Sequence, residues 1–150
     1  MNDYAFNRQA GYEYEFLDKF EAGLVLNGQE VKSVRAGRLS LQGAFVVLKN
    51  EEAFLLNANL PPYQPKNTSA NYDPVRSRKL LLHKNEIRSL VGQSKQAGLT
   101  LVPIRVYNKS GKIKLEFVLA RGKKSRDKRQ TIGRREAARR IQRAVRGKIE

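Results

Sequence analysis

The stretch Leu99-Thr100-Leu101-Val102-Pro103-Ile104-Arg105-Val106-Tyr107, Asn108-Lys109-Ser110-Gly111, Lys112-Ile113-Lys114-Leu115-Glu116-Phe117-Val118-Leu119-Ala120 decides the fold. Two long β-prone runs flank a turn that contains Gly, so the stretch reads as a hairpin. In the second run Ile113, Leu115, Phe117 and Leu119 alternate with Lys112, Lys114 and Glu116. That period of two assigns one face to the core and the other to solvent. Pro103 has no N–H to donate, which places it at an edge or a bulge.

Upstream, Tyr12, Tyr14 and Phe16 alternate with polar residues and predict a strand over 12–17. A second strand is expected through Phe20 to Leu26, with Gly23 at a bulge or a close backbone approach. Asn27-Gly28 alone suggests a hairpin turn, but a helix over 28–36 explains more. Asn27 can cap its first N–H groups, Glu30 three residues on can return the bond, and Gly37 suits the position after the end. Ala44–Leu48 and Ala53–Leu56 form a further hairpin through Lys49-Asn50-Glu51-Glu52. Four prolines, at 61, 62, 65 and 74, mark residues 57–79 as a long loop. His83, Glu86, the apolar Ile87, Leu90 and Val91, and Gly98 predict a helix over 84–97. Short strands with helices between them fit a mainly β, OB-fold-like barrel, closed or partly closed, over residues 1–121. A basic C-terminal tail, 122–150, follows it.

The charge is uneven. The chain has 150 residues and 30 Lys+Arg against 14 Asp+Glu, a net charge of +16. Residues 1–120 hold 17 of the basic and 11 of the acidic side chains, whereas 121–150 hold 13 and 3. So dense a basic block reads as an arm for a polyanion, nucleic acid first, because each phosphate neutralised releases counterions. The plainer alternative is a solvated tail that aids solubility. From Thr131 onwards Ile132, Ala137, Ala138, Ile141, Val145 and Ile149 recur at helical spacing, with arginines, Arg134 and Arg135 among them, over the remaining surface. Arg–Arg repulsion opposes such a helix in isolation, so the tail is expected to be disordered when free and helical on RNA. Its apolar face lacks aromatics, a poor anchor for a membrane surface.

Reactive groups are scarce. With no Cys there is no disulfide, thiol nucleophile or Cys-based zinc site, and a reducing cytoplasm fits. No apolar run approaches a membrane span, and the first residues do not resemble a secretory signal. The single His, His83, reads better as a helix cap than as a catalyst. Gly122-Lys123-Lys124-Ser125 lacks the spacing of a phosphate loop, and Glu51-Glu52 point apart on their turn. No enzyme is expected and no cofactor or metal. What remains is recognition. Arg76, Arg78 and Lys79 lie beside Tyr72 and Leu81, a mixture suited to RNA phosphates and unstacked bases, although a cationic loop entering a strand would look the same. Lys32, Arg35 and Arg38 give a second basic edge. Glu21 is an acid that could select a donor group on RNA, or simply be exposed.

Three segments together are specific. They are Phe20-Glu21-Ala22-Gly23 with Gly28-x-Glu30-Val31-Lys32-Ser33-x-Arg35-Ala36-Gly37, then Asp73-Pro74-x-Arg76-x-Arg78-Lys79-Leu80-Leu81-Leu82-His83-Lys84, then Leu119-Ala120-Arg121-Gly122-Lys123-Lys124 with Asp127-Lys128-Arg129. Across nearly the whole chain the sequence resembles the SsrA-binding (small protein B) family of bacteria. The resemblance implies an OB-like barrel that binds transfer-messenger RNA and delivers it to stalled 70S ribosomes for trans-translation, without being an enzyme. It implies small-subunit RNA as a contact of the tail, elongation factor Tu as a companion in the delivery complex, and no membrane. RNA contacts carry over onto Asn7, with Arg8 beside it, Glu21 and Leu81, and onto Lys123 and Lys124. Asp127-Lys128-Arg129 match the element used in the decoding centre. Arg126 stands where members often have His or an aromatic ring, and its guanidinium plane can also stack on a base. Gly11 stands where a bulkier or basic residue is common. The other reading is a generic OB-fold RNA-binding or ribosome-assembly protein.

Overall fold

The computed structural model describes residues 3–123 apart from Ala97. Its elements run β1 (Asp3–Phe6), α1 (Ala10–Glu13), β2 (Tyr14–Leu24), α2 (Gly28–Arg35), β3 (Phe45–Lys49), β4 (Glu52–Leu56), β5 (Arg78–Leu81), α3 (Lys84–Ser94), β6 (Leu99–Lys109) and β7 (Lys112–Gly122). The tail helix expected from Thr131 onwards and the contacts expected of Lys124, Arg126, Asp127, Lys128, Arg129, Arg134 and Arg135 lie outside the described residues.

The β6–β7 hairpin is the spine. Its strands pair from Leu99↔Arg121 to Lys109↔Lys112, and the register shifts between Pro103 and Arg105, so Pro103 does sit at a bulge. Ser110 and Gly111, both at positive φ, make the tight turn. β7 pairs β2 on its other side, and the order continues β2–β5–β4–β3–β6. The strands therefore close a ring, with β1 added to the far half of β6. Mainly β with short helices is as expected; six strands close the ring and β1 makes the sheet seven-stranded.

Inside the ring Val34, Leu55, Leu80, Leu90, Val106, Leu115 and Phe117 are fully or almost fully buried. A second, smaller cluster lies on the other face of the hairpin, where Ala10 covers Val102, Ile104, Val118 and Ala120. That second cluster corrects the strand expected over 12–17. Residues 10–13 form α1 because Ala10 must lie flat on the outer face of β6 and β7, and packing overrides the alternation of Tyr12 and Tyr14. The two strands expected at 12–17 and 20–26 are one strand, β2, with its register shift between Phe16 and Asp18 instead of at Gly23.

Local signals elsewhere performed as their chemistry requires. Asn27 Oδ1 accepts from the Glu30 N–H at 2.9 Å and Glu30 Oε1 accepts from the Asn27 N–H at 3.0 Å, a complete capping box. Gly37, at φ +78°, turns the chain after α2. α3 ends at Ser94, three residues short of the expected 97, and the loop expected over 57–79 ends at Ser77, because Arg78 and Lys79 already pair with β4. β7 continues through Gly122, and the Lys123 N–H donates to Glu13 O.

Candidate nucleic-acid interface

Because β5 alternates, Arg78 and Leu80 point into the ring while Lys79 and Leu81 point outward. Leu81 is 57 % exposed, a large apolar side chain held in water. It lies over Gly23, where β2 and β5 pair; a Cβ at Gly23 would meet Leu81 Cβ at 3.3 Å, so the small residue lets Leu81 sit close to the strand. Gly23 thus marks a close approach, one of its two expected roles.

Two hollows flank Leu81. One, of about 460 Å³, is lined by Glu21, Leu81, His83, Glu86 and Lys114. The other, of about 310 Å³, is lined by Val31, Arg35, Leu81, Lys112 and Lys114. The ring thereby unites Glu21, Leu81 and Arg35, from β2, β5 and α2, and adds Lys112 and Lys114 from β7. The sequence marked those two lysines as outward-facing but gave no reason to group them with Glu21, since their proximity exists only through the β2–β7 register. Lys32 is exposed on α2 and Lys79 on β5, where its Nζ lies 3.6 Å from Glu52.

Glu21 is not idle. Tyr107 Oη donates to its Oε2, and Lys109 Nζ lies 3.1 Å from Oε1. The Tyr107 hydroxyl first and the Lys109 ammonium second hold the Glu21 carboxyl below the usual carboxylate range. It therefore stays ionised and acts only as an acceptor.

Two of the expected contact residues are engaged within the fold. Arg78 has no exposed surface; its Nε donates to Glu30 Oε2 at 2.8 Å, and its Nη atoms donate to the carbonyls of Ala58, Arg76 and Pro74. Withdrawing it would strand the buried Glu30 charge. Asn7 is buried and its amide donates to Pro103 O at 2.9 Å, anchoring the chain at the bulge. Arg76, partly exposed, also binds Glu30. Burial raises the Glu30 carboxyl, but the hydrogen bonds from Arg76, the Asn27 N–H and Arg78 outweigh it and hold the group below its ordinary value. Exposed Arg8 lines a separate hollow with Asn7, and Lys123 Nζ donates to Gly11 O at 2.9 Å beside α1. Asn7 and Arg8 thus line other hollows than Leu81 does. Among the described residues no group of three or more His, Cys, Asp or Glu could hold a metal, and no helix is long and apolar enough to cross a membrane.

Known proteins share this chain's sequence and fold. The family model described as "SmpB protein" matches residues 4–147. The "SsrA-binding protein" of Thermosynechococcus vestitus is 52 % identical over 139 residues, covering 93 % of this chain and 91 % of the relative. That of Trichodesmium erythraeum is 50 % identical, over 93 % and 89 % of the two chains. A chain from the solved structure "tmRNA-SmpB: a journey to the center of the bacterial ribosome" is 46 % identical and superposes with a TM-score of 0.67, covering 85 % of this chain and 92 % of that one. Sequence, coverage and fold agree, and this chain belongs to the SmpB family of SsrA-binding proteins.

Proposed function

We propose that this chain binds transfer-messenger RNA and brings it to stalled ribosomes for trans-translation. The names of its relatives and of its ribosomal structural neighbour support this reading. One structural observation carries it: exposed Leu81 between two hollows that Glu21, Arg35, Lys112 and Lys114 line. A folded RNA offers unstacked bases, phosphates and sugar hydroxyls at once. Leu81 supplies the apolar contact for a base, the cations neutralise phosphates, and Glu21 accepts from a base amino group or a 2′-hydroxyl. The role is recognition, with no reaction assigned to the chain.

The tail has the second part. Its +10 over residues 121–150 suits the RNA of the small subunit. Arg126, Asp127, Lys128 and Arg129, then Arg134 and Arg135, are proposed to occupy the decoding centre, folding as they bind. Elongation factor Tu accompanies the complex, and a cytoplasmic location follows from the ribosome as partner. The test is a competition shift assay at moderate salt. Transfer-messenger RNA should displace ribosomal RNA fragments; equal affinity for both would overturn the proposal in favour of a generic RNA-binding protein.

A further inference from the structure

The sheet register sets a problem on the RNA-facing side. Glu21 of β2 lies directly opposite Glu116 of β7, and opposed residues of an antiparallel pair share a face. Two carboxylates side by side repel unless each has its own partner. Arg105 takes Glu116, its Nε donating to Oε2 at 2.7 Å, and its Nη1 donates to Asp3 Oδ1 at 2.9 Å. The same guanidinium lies 4.2 Å from the centroid of the Tyr107 ring. Tyr107, only 8 % exposed, is therefore clamped, and its hydroxyl donates to Glu21 Oε2.

We propose that Tyr107 is a positioning residue for RNA recognition, its clamped hydroxyl holding the Glu21 carboxylate in one orientation toward the bound RNA. The inference rests on the RNA-binding reading of Glu21 given above. Lys109 also touches both carboxylate oxygens, but its ammonium is exposed on a long flexible stem and fixes little. Lys114, His83 and Glu86 complete the surroundings of Glu21. A carboxylate has about four lone-pair sites, so with Oε2 bonded to Tyr107 the Oε1 atom keeps capacity for a donor on RNA. An acid among RNA phosphates costs general affinity, so a fixed acid acts as a selector. Burial and the Glu21 charge push the Tyr107 hydroxyl far up, so at neutral pH the direction of the bond is fixed from tyrosine to glutamate.

The full chain, Tyr107→Phe, Glu21→Gln and the double variant are compared in two measurements. The first is affinity for transfer-messenger RNA and for a single-stranded RNA of random sequence. The second is the pH titration of the Glu21 side-chain carboxyl carbon by NMR in the free protein. Tyr107→Phe keeps the ring and removes only the hydroxyl. It should raise the Glu21 pKa toward its ordinary value and weaken transfer-messenger RNA binding about five- to tenfold, the scale of one typical hydrogen bond. Random RNA should bind unchanged, and Tyr107→Phe should add nothing to Glu21→Gln. An unshifted Glu21 titration, equal losses for both RNAs, or full affinity in Tyr107→Phe beside a weakened Glu21→Gln would overturn the positioning role and leave the RNA reading standing. Full affinity in Glu21→Gln would overturn that reading itself.

Discussion

Arg78 and Glu30, 48 positions apart in the chain, form a buried ion pair, Nε to Oε2 at 2.8 Å, with neither side chain more than 1 % exposed. Glu30 is also the residue that closes the capping box of α2. One carboxylate thus starts a helix and anchors β5, while the Arg78 guanidinium ties down the loop through Ala58, Pro74 and Arg76 carbonyls. Ser33 and Tyr72 add hydrogen bonds to the Pro61 and Leu60 carbonyls. The Pro-rich segment is long yet fastened, and this fastening fixes the entry into β5 from which Leu81 projects.

Arg78→Ala should therefore destabilise the body by about 3–5 kcal/mol, since a buried Glu30 charge loses its partner. Arg78→Lys should recover only part of this, because an ammonium cannot reproduce the planar fork that reaches the Glu30 carboxylate and three carbonyls. Urea unfolding followed by circular dichroism measures both. Wild-type stability in Arg78→Ala would mean that Arg78 is not the anchor.

Glu30 and Glu21 both titrate below their ordinary value in the folded protein. A depressed carboxyl stabilises the fold fully above its unfolded pKa of about 4.3, and that contribution is lost as pH falls through the lower folded value. The urea midpoint should hold steady at neutral pH and fall on acidification below about pH 4.3. Glu30→Gln should start less stable and show a shallower fall; an unchanged slope would remove Glu30 from the linkage.

Leu81→Ala changes an exposed side chain, so stability should stay within about 0.5 kcal/mol. Transfer-messenger RNA affinity should drop about tenfold, the scale of one lost contact to a base. Gly23→Ala tests the same contact from beneath, as its Cβ would press on Leu81 Cβ at 3.3 Å and displace it. Thermal melts beside shift assays separate the two effects, and unchanged affinity in both variants would take Leu81 out of the interface.

Lys114 lines both hollows. If it neutralises one phosphate, Lys114→Gln should weaken binding across all RNA sequences and reduce the slope of log K against log salt by about one unit. For the whole body, about six phosphates neutralised would give a slope of roughly −4 to −5. A salt titration of binding reads both, and an unchanged slope in the variant would place Lys114 away from phosphate.

Truncation after Lys124 should leave transfer-messenger RNA binding mostly intact while abolishing peptide tagging on stalled ribosomes. Loss of RNA binding on truncation would show that body and tail do not divide the work in this way.

Much of the fold was legible because its signals are local. The Asn27/Glu30 box, the alternation of Ile113, Leu115, Phe117 and Leu119, and the bulge at Pro103 each depend on neighbours a few residues away. α1 was not legible, because its helical state depends on Ala10 meeting strands about a hundred residues on. The site divides in the same way. Glu21 and Leu81 each stay open to a plainer reading until the resemblance to a family favours RNA contact, whereas the composition of 76–79 offers three cations of equal rank. The pleat of β5 separates them: Arg78 turns inward to Glu30, Lys79 turns out, and Arg76 bridges the edge.

By itself the sequence determined the class of partner and the local elements, since charge, caps and hydrophobic period are properties of the chain read in order. Only the tertiary structure decided which charges remain available to RNA. Ring closure buries Arg78 against Glu30, and the register of β2 on β7 sets Glu21 opposite Glu116, obliging Arg105, Tyr107 and Lys109 to compensate. The physical reason is that a side chain's charge belongs to its formula, whereas its partner depends on which distant strand lies beside it.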